Sequence, residues 1–309
     1  MIHAGGLELD NKLCLAPLAG VTTLTIREFF SGMGAALTHT EMISCSGLIR
    51  DNAKTLDMLK VSSFESPLIV QLFAPDEKIL YNGALKVLTH CEKFSGLGIN
   101  MACPMPKITK NGAGSALMRR PEIAAKMVSC LKNLNLPVWI KTRKFDNDYE
   151  TLKFAELLIN SGADNVCIHG RTPSQRYEGI ADRSIISLAA KEFPGYISAS
   201  GDVKNLADID EYLNMGCVIV MIARGAFANP CLFEEYRGIY RTQCEKLDAL
   251  TKFAYRTLEI SGEHRAVVLL KRFAGSMLKF KNGAANLRQQ AMISTSLEEI
   301  LNIFRRSIY

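Results

Sequence analysis

The sequence predicts an α/β fold: a (β/α)8 barrel of parallel strands followed by a small C-terminal helical bundle. Three observations carry this expectation. Eight short apolar runs precede residue 240, and each is followed by a segment with helical periodicity. Polar and conformationally unusual residues gather just after those runs, where such a barrel (the TIM barrel) places its chemistry. Beyond residue 240 the runs stop and only amphipathic helical patterns continue. A doubly wound open sheet is the alternative architecture, but no GxGxxG turn follows the first run.

The runs occupy residues 13–16, 36–40, 68–73, 96–100, 138–142, 165–169, 196–200 and 218–222. They are apolar without alternation, as strands covered on both faces should be. Helical patterns such as 122–133 and 151–161 separate them. The first run leads into Ala16, Pro17, Leu18, Ala19 and Gly20, the second into Thr40, Glu41 and Met42. The third ends at Gln71, the fourth at Asn100 and Cys103, the fifth at Lys141 and Arg143. The sixth gives His169, Gly170, Arg171 and Thr172, the seventh Ser200, Gly201 and Asp202, the last Ala223, Arg224 and Gly225. A lysine closing an apolar strand is costly unless it meets an anion or a polar ligand. One such residue reads as a rim ion pair; a full ring of them reads as a site.

After residue 240, helices are expected near 242–260, 265–280, 284–291 and 297–308, the last opened by a capping box of Ser296 and Glu299. Leu247, Leu250, Phe253, Leu258, Val267, Leu270, Phe273 and Met277 would face inward, with Lys271, Arg272, Lys279, Lys281 and Arg288 outside. The division is therefore a barrel at 1–240 and a bundle at 241–309.

Residues 98–117, GINMACPMPKITKNGAGSAL, stand out most. A buried strand ends at Asn100 and passes into a loop stiffened by Pro104 and Pro106, with Lys107 and Lys110 nearby. Cys103 is thereby fixed on the strand's C-terminal rim. A free cysteine is most often a small buried hydrophobe; the asparagine, prolines and lysines around this one favour chemistry.

The stretch resembles the active-site loop of the dihydrouridine synthases, flavin enzymes that reduce uridines in RNA. Gly98, Asn100, Met101, Ala102, Cys103 and Pro104, then Gly112 through Leu117, follow that family's pattern. Further matches run along nearly the whole chain: APL, TEM, VQL, HGRT, SGD and ARGA at the strand ends, and Gln175, Tyr177, Gly179, Ala181 and Asp182 between strands six and seven. Departures fall at the rim: Gly98 for a usual Asp, Ala74, Ala102 and Ala223 for usual glycines, Ser200 for Asn, and Arg183 for Trp.

The resemblance implies FMN, recharged by NADPH, in a pocket lined by Pro17, Leu18, Ala19, Gln71, Lys141, His169, Ser200, Gly201, Asp202, Ala223 and Arg224. It implies Cys103 as proton donor; a thiol of ordinary acidity is mostly protonated at neutral pH and suits that role. Asn100, Arg171 and Lys107 would hold the target base and its phosphates. Lys271, Lys279, Lys281 and Arg288 would grip RNA, tRNA foremost. Two rivals stand beside this expectation: a dihydroorotate dehydrogenase-like flavin barrel acting on a free pyrimidine, and an RNA-binding barrel without catalysis.

Bulk properties fit a partner of opposite charge. The net charge is +6; after residue 240 there are twelve Lys+Arg against six Asp+Glu, so the excess lies in the C-terminal segment. Nine scattered cysteines with no CxxC pair argue against a zinc site or a disulfide framework. No apolar run approaches the roughly 18 residues of a membrane span. The N-terminal residues lack the pattern of a secretory signal. A monomer in the cytoplasm is expected.

Overall fold

The structure, a computed structural model, describes residues 1–65, 67–278 and 283–307. It opens with a hairpin that sequence reading missed, β1 (Ile2–Ala4) and β2 (Leu7–Leu9), turning through Gly5 and Gly6. The barrel strands follow: β3 (Leu13–Leu15), β4 (Thr38–His39), β5 (Ile43–Ser44), β6 (Leu68–Phe73), β7 (Gly96–Asn100), β8 (Val138–Arg143), β9 (Asn165–His169), β10 (Ile197–Ser200) and β11 (Val220–Ile222). Pairing is parallel in the order β3-β11-β10-β9-β8-β7-β6-β4, and β5 also pairs with β6. The ring closes between β3 and β4 through a parallel bridge of Cys14 and Leu37, with Leu15 N–H donating to Leu37 O at 2.9 Å.

The second expected strand is split. His39 lies opposite Ile69 and Ile43 opposite Leu72, so residues 40–42 bulge against Val70 and Gln71. The cause is Thr40, whose Oγ1 accepts the Gln71 N–H at 2.9 Å and donates to Glu41 O at 2.7 Å. A side chain takes a ladder position there, and the bulge turns Glu41 toward the mouth.

The floor of the barrel is apolar. Leu37, Ile69, Trp139, Cys167 and Met221 pack with Ala4 and Leu9 of the hairpin. Trp139 Nε1 donates to Gly5 O at 2.8 Å, and a Cβ at Gly5 would lie 2.4 Å from the indole, so the hairpin turn plugs the floor at backbone distance. Since side chains alternate along a strand, Gln71, Lys141, Arg143 and His169 share the inward face of these residues but lie nearer the mouth.

The C-terminal helices span Gln243–Ser261, Glu263–Met277, Ala284–Ile293 and Leu297–Arg306. The second begins earlier than expected because Gly262, at φ +80°, turns the chain within one residue. Capping boxes at Thr242–Glu245 and Ser296–Glu299 open the first and last. Leu258 lies on the outer face, against expectation, at 36% exposed. Lys279 and Lys281 lie outside the described residues. One continuous apolar core runs from the barrel strands into the bundle. At its centre Phe273 meets Phe29, Phe30, Phe227 and Phe253 with ring centroids 4.9–6.1 Å apart. Among the described residues no helix is long and apolar enough to cross a membrane.

Candidate active site

The site is built at the C-terminal ends of the strands, and Asn100 organises its first part. From the end of β7 its buried amide donates to Gln71 Oε1 at 2.9 Å, while its Oδ1 accepts N–H groups from Cys103 (3.0 Å) and Ala102 (3.3 Å). This side-chain turn fixes the loop that carries Cys103. The Cys103 carbonyl accepts from Ser115 N–H at 3.0 Å, across Gly114, where a Cβ would come 2.6 Å from that oxygen. Gly114 also sits at φ +62°, so glycine is required twice over. Cys103 is half-buried at the mouth, whereas Cys14, Cys45, Cys91, Cys167, Cys217 and Cys231 are buried.

Lys141 lies directly across the β7–β8 pair from Asn100. Among the described residues no carboxylate pairs with it. Burial lowers its pKa from 10.5 and Arg143 adds to that, against the pull of the Cys167 and Cys14 thiols. An inward ammonium lacking a counter-charge is a position that accepts an anion or an electron-rich ring.

Arg143, two residues on, is engaged through Nε and Nη1. It donates to Ala102 O at 2.8 Å, Arg176 O at 2.8 Å and Thr172 O at 3.2 Å, tying the Cys103 loop to the loop after β9. Arg171 is equally occupied and 2% exposed, donating to Glu178 O (2.9 Å), Gly179 O (2.7 Å) and Asp202 Oδ2 (2.6 Å). Its remaining Nη1 approaches His169 Nε2 at 3.4 Å. An arginine only donates, so that ring nitrogen is the acceptor and Nδ1 carries the proton. The imidazole is neutral: burial first, then Lys141, Arg143, Arg171 and Arg224, push its pKa down to about 2.

Asp202 holds the opposite wall at φ +50°. Burial would raise its pKa, but the Ala181 N–H, Arg171 and Arg224 hold it below the usual carboxylate value. Before it, Gly201 stands at φ +127° with room for no side chain, since a Cβ would lie 2.7 Å from Ala181 Cβ and 3.0 Å from the His169 ring. Ser200 is buried beside it and pairs with His169 in register. After β11, Ala223 precedes the short helix Arg224–Ala228. The Arg224 side chain is 60% exposed, touching Asp202 Oδ1 at 3.3 Å and lying 5.4 Å from the Tyr177 ring.

The loop after β3 completes the ring. Leu18 N–H donates to Thr22 Oγ1, and Leu18 O accepts from Val21 and Thr22 N–H, leaving Pro17 and Leu18 half-buried and Ala19 exposed. Lys107 is exposed on the Cys103 loop and Lys271 half-buried on the bundle. Arg288 donates to Leu278 O at 3.1 Å.

Gln71, Asn100, Lys141, His169, Ser200, Gly201, Asp202, Ala223 and Arg224 thus stand on consecutive ring positions around one mouth. Lys141 and Arg224 offer fixed positive charge, Gln71 an amide and His169 a neutral ring, a donor set suited to a planar heteroaromatic group bearing phosphate. Sequence reading did not single out Tyr212, whose hydroxyl donates to Gly201 O at 2.9 Å, or Arg265, which reaches this mouth from the bundle. Neither carries a local sequence signal, since each acts through a contact with a distant backbone carbonyl.

Similar proteins agree with this architecture. Solved structures of morphinone reductase superpose with TM-scores of 0.55 at 13–14% identity, covering 75–76% of this chain and 87–89% of theirs. At that identity the likeness concerns the barrel alone. Curated relatives include a probable tRNA-dihydrouridine synthase of Treponema pallidum, 29% identical over 98% of this chain and 95% of its own. Another, of Rhizobium leguminosarum bv. phaseoli, is 31% identical over 94% and 92%. Residues 14–308 match the family described as dihydrouridine synthase (Dus). With that match spanning both the strand ends and the helical segment, the chain belongs to the dihydrouridine synthase family.

Proposed function

We propose that this protein reduces uridines in RNA, tRNA foremost, to 5,6-dihydrouridine, with FMN held at the barrel mouth and NADPH as its reductant. The observation that carries the reading is the half-buried Cys103 thiol, fixed by Asn100 across one strand pair from Lys141, which no carboxylate meets among the described residues. Held by these residues, FMN would supply hydride chemistry for C6 of the uracil ring.

The chain's own groups do the rest. Cys103 Sγ–H gives its proton to C5, so that hydride and proton together saturate the 5,6 double bond, and the thiolate regains a proton from solvent. Lys141 places positive charge where electron density gathers, beside Gln71 and His169. Arg224 and the Ser200–Gly201–Asp202 turn would hold phosphate, as loops after the last strands of such barrels often do. Pro17, Leu18, Ala19 and Ala223 line the pocket. Arg143, tied to Ala102, Thr172 and Arg176, and Arg171, tied to Glu178, Gly179 and Asp202, act as positioning residues for the Cys103 loop and for Asp202.

The target base must leave its stack to reach the mouth. Asn100 and Lys107 are placed to meet it, and Lys271 with its basic neighbours would hold the backbone. In this reading residues 1–240 form the catalytic barrel and 241–309 the RNA-gripping bundle of a cytoplasmic monomer.

The test is direct. The purified protein should show flavin absorption and, given NADPH and a tRNA transcript, form dihydrouridine detectable by mass. Absence of flavin absorption after reconstitution with FMN would overturn the reading, as would turnover of dihydroorotate with none on RNA.

A further inference from the structure

The Thr40-Glu41-Met42 bulge has no part in the mechanism above, yet it meets the bundle at the mouth. The Gly20 N–H donates to the Glu41 carboxylate, and the Gly20 carbonyl accepts from Arg265 Nη2 at 3.2 Å. Arg265 and Glu41 are themselves 4.0 Å apart, with side chains 32% and 16% exposed. Gly20 has φ +72° and open space where a Cβ would stand, so conformation alone asks for glycine. The loop that ends there, with Val21 and Thr22 folded back onto Leu18 O, is therefore clamped at its tip by two elements far apart in sequence.

We propose that Arg265 is a positioning residue that locks the Pro17–Gly20 mouth loop to the bundle through Gly20 and Glu41, fixing the register between the surface that grips RNA and the mouth where reduction occurs. The functional half of this inference rests on the proposed function. Other barrel–bundle contacts include Arg256 with Glu28 at 3.2 Å and Thr257 with Thr25 at 3.1 Å on the helix Leu24–Gly32, the phenylalanine cluster, and Lys246 with Glu235 at 3.5 Å. They fasten the bundle to the barrel. The Arg265 contact joins the bundle to the mouth loop itself, so its loss leaves docking intact and frees only that loop. A small misplacement of this kind lowers turnover far more than affinity.

Amide exchange of the protein without cofactor or RNA reads the clamp by itself. In Arg265→Ala, exchange should speed up roughly tenfold at residues 18–23 and stay unchanged across 243–307. With RNA, kcat should fall roughly tenfold while RNA affinity and its salt dependence hold, and Arg265→Lys, which keeps one donor, should recover part of the loss. Unchanged exchange at 18–23 would overturn the proposal, and so would faster exchange spread through the bundle. An unchanged kcat with weaker binding and a salt slope lower by about one would make Arg265 a phosphate contact instead. If the chain reduces no RNA at all, the proposed function fails, while the exchange measurement still decides the clamp.

Discussion

Strand β8 sets the floor and the mouth of the barrel side by side. Trp139, Lys141 and Arg143 point inward in succession, yet each meets a different world. Trp139 is sealed against apolar neighbours and the hairpin, Lys141 has no carboxylate partner among the described residues, and Arg143 is bonded to three carbonyls. Steps of two residues separate stability from chemistry and chemistry from scaffolding. Under the proposed function, charge type alone does not mark a working group; a charge left without a partner does.

The sharpest way to break this division is Cys103→Ala. Uridine reduction should fall by about 10²–10⁴, the usual share of a general acid, with flavin content and melting temperature unchanged. Wild-type rates in that variant would place the proton donor elsewhere. At the floor the effect reverses: Trp139→Ala removes a buried ring and its bond to Gly5 O, and should cost about 3–5 kcal/mol by urea denaturation, while the remaining folded protein keeps its absorption spectrum.

Lys141→Met tests the middle position. Losing a charged contact should weaken FMN binding by about 10- to 100-fold, as for a charge-assisted hydrogen bond of roughly 1.5–3 kcal/mol. Stability should move the other way. Because burial lowers the lysine's folded pKa from 10.5, the unfolded chain binds that proton more tightly, so wild-type stability rises with pH across the window below 10.5. The methionine variant should lose that slope in urea midpoints of cofactor-free protein measured as the pH is raised toward 10.5.

The bundle repeats the contrast on a smaller scale. Lys271→Gln should lower the salt slope of RNA binding by about one, the mark of a phosphate contact. Arg288→Gln should leave the slope alone and cost about 0.5–1.5 kcal/mol, since its guanidinium holds Leu278 O. An equal loss of slope in both variants would erase the distinction.

All eight barrel strands were legible because buried parallel strands are continuous apolar runs, and the Asn100–Cys103 loop because its residue order is distinctive. The split of the second strand was not, for it depends on the Thr40 hydroxyl replacing a backbone partner. The hairpin was too short and too polar at Glu8 to register. Arg143 and Arg171 looked like rim charges available to a ligand; only the geometry shows Arg143 bonded to the Ala102, Thr172 and Arg176 carbonyls and Arg171 to the Glu178 and Gly179 carbonyls and the Asp202 carboxylate. Arg265 was invisible for the same reason, since its partner is a backbone oxygen 245 residues away.

The phenylalanine cluster has a consequence for synthesis. Phe29, Phe30 and Phe227 belong to the barrel half of the chain, but Phe253 and Phe273, which cover them, are made last. Until the ribosome has released the helix Glu263–Met277, a nascent barrel carries an adhesive aromatic patch on its flank. The tail therefore finishes the barrel's surface as well as extending it, and a gene shortened at codon 240 would yield an aggregating product rather than a smaller enzyme.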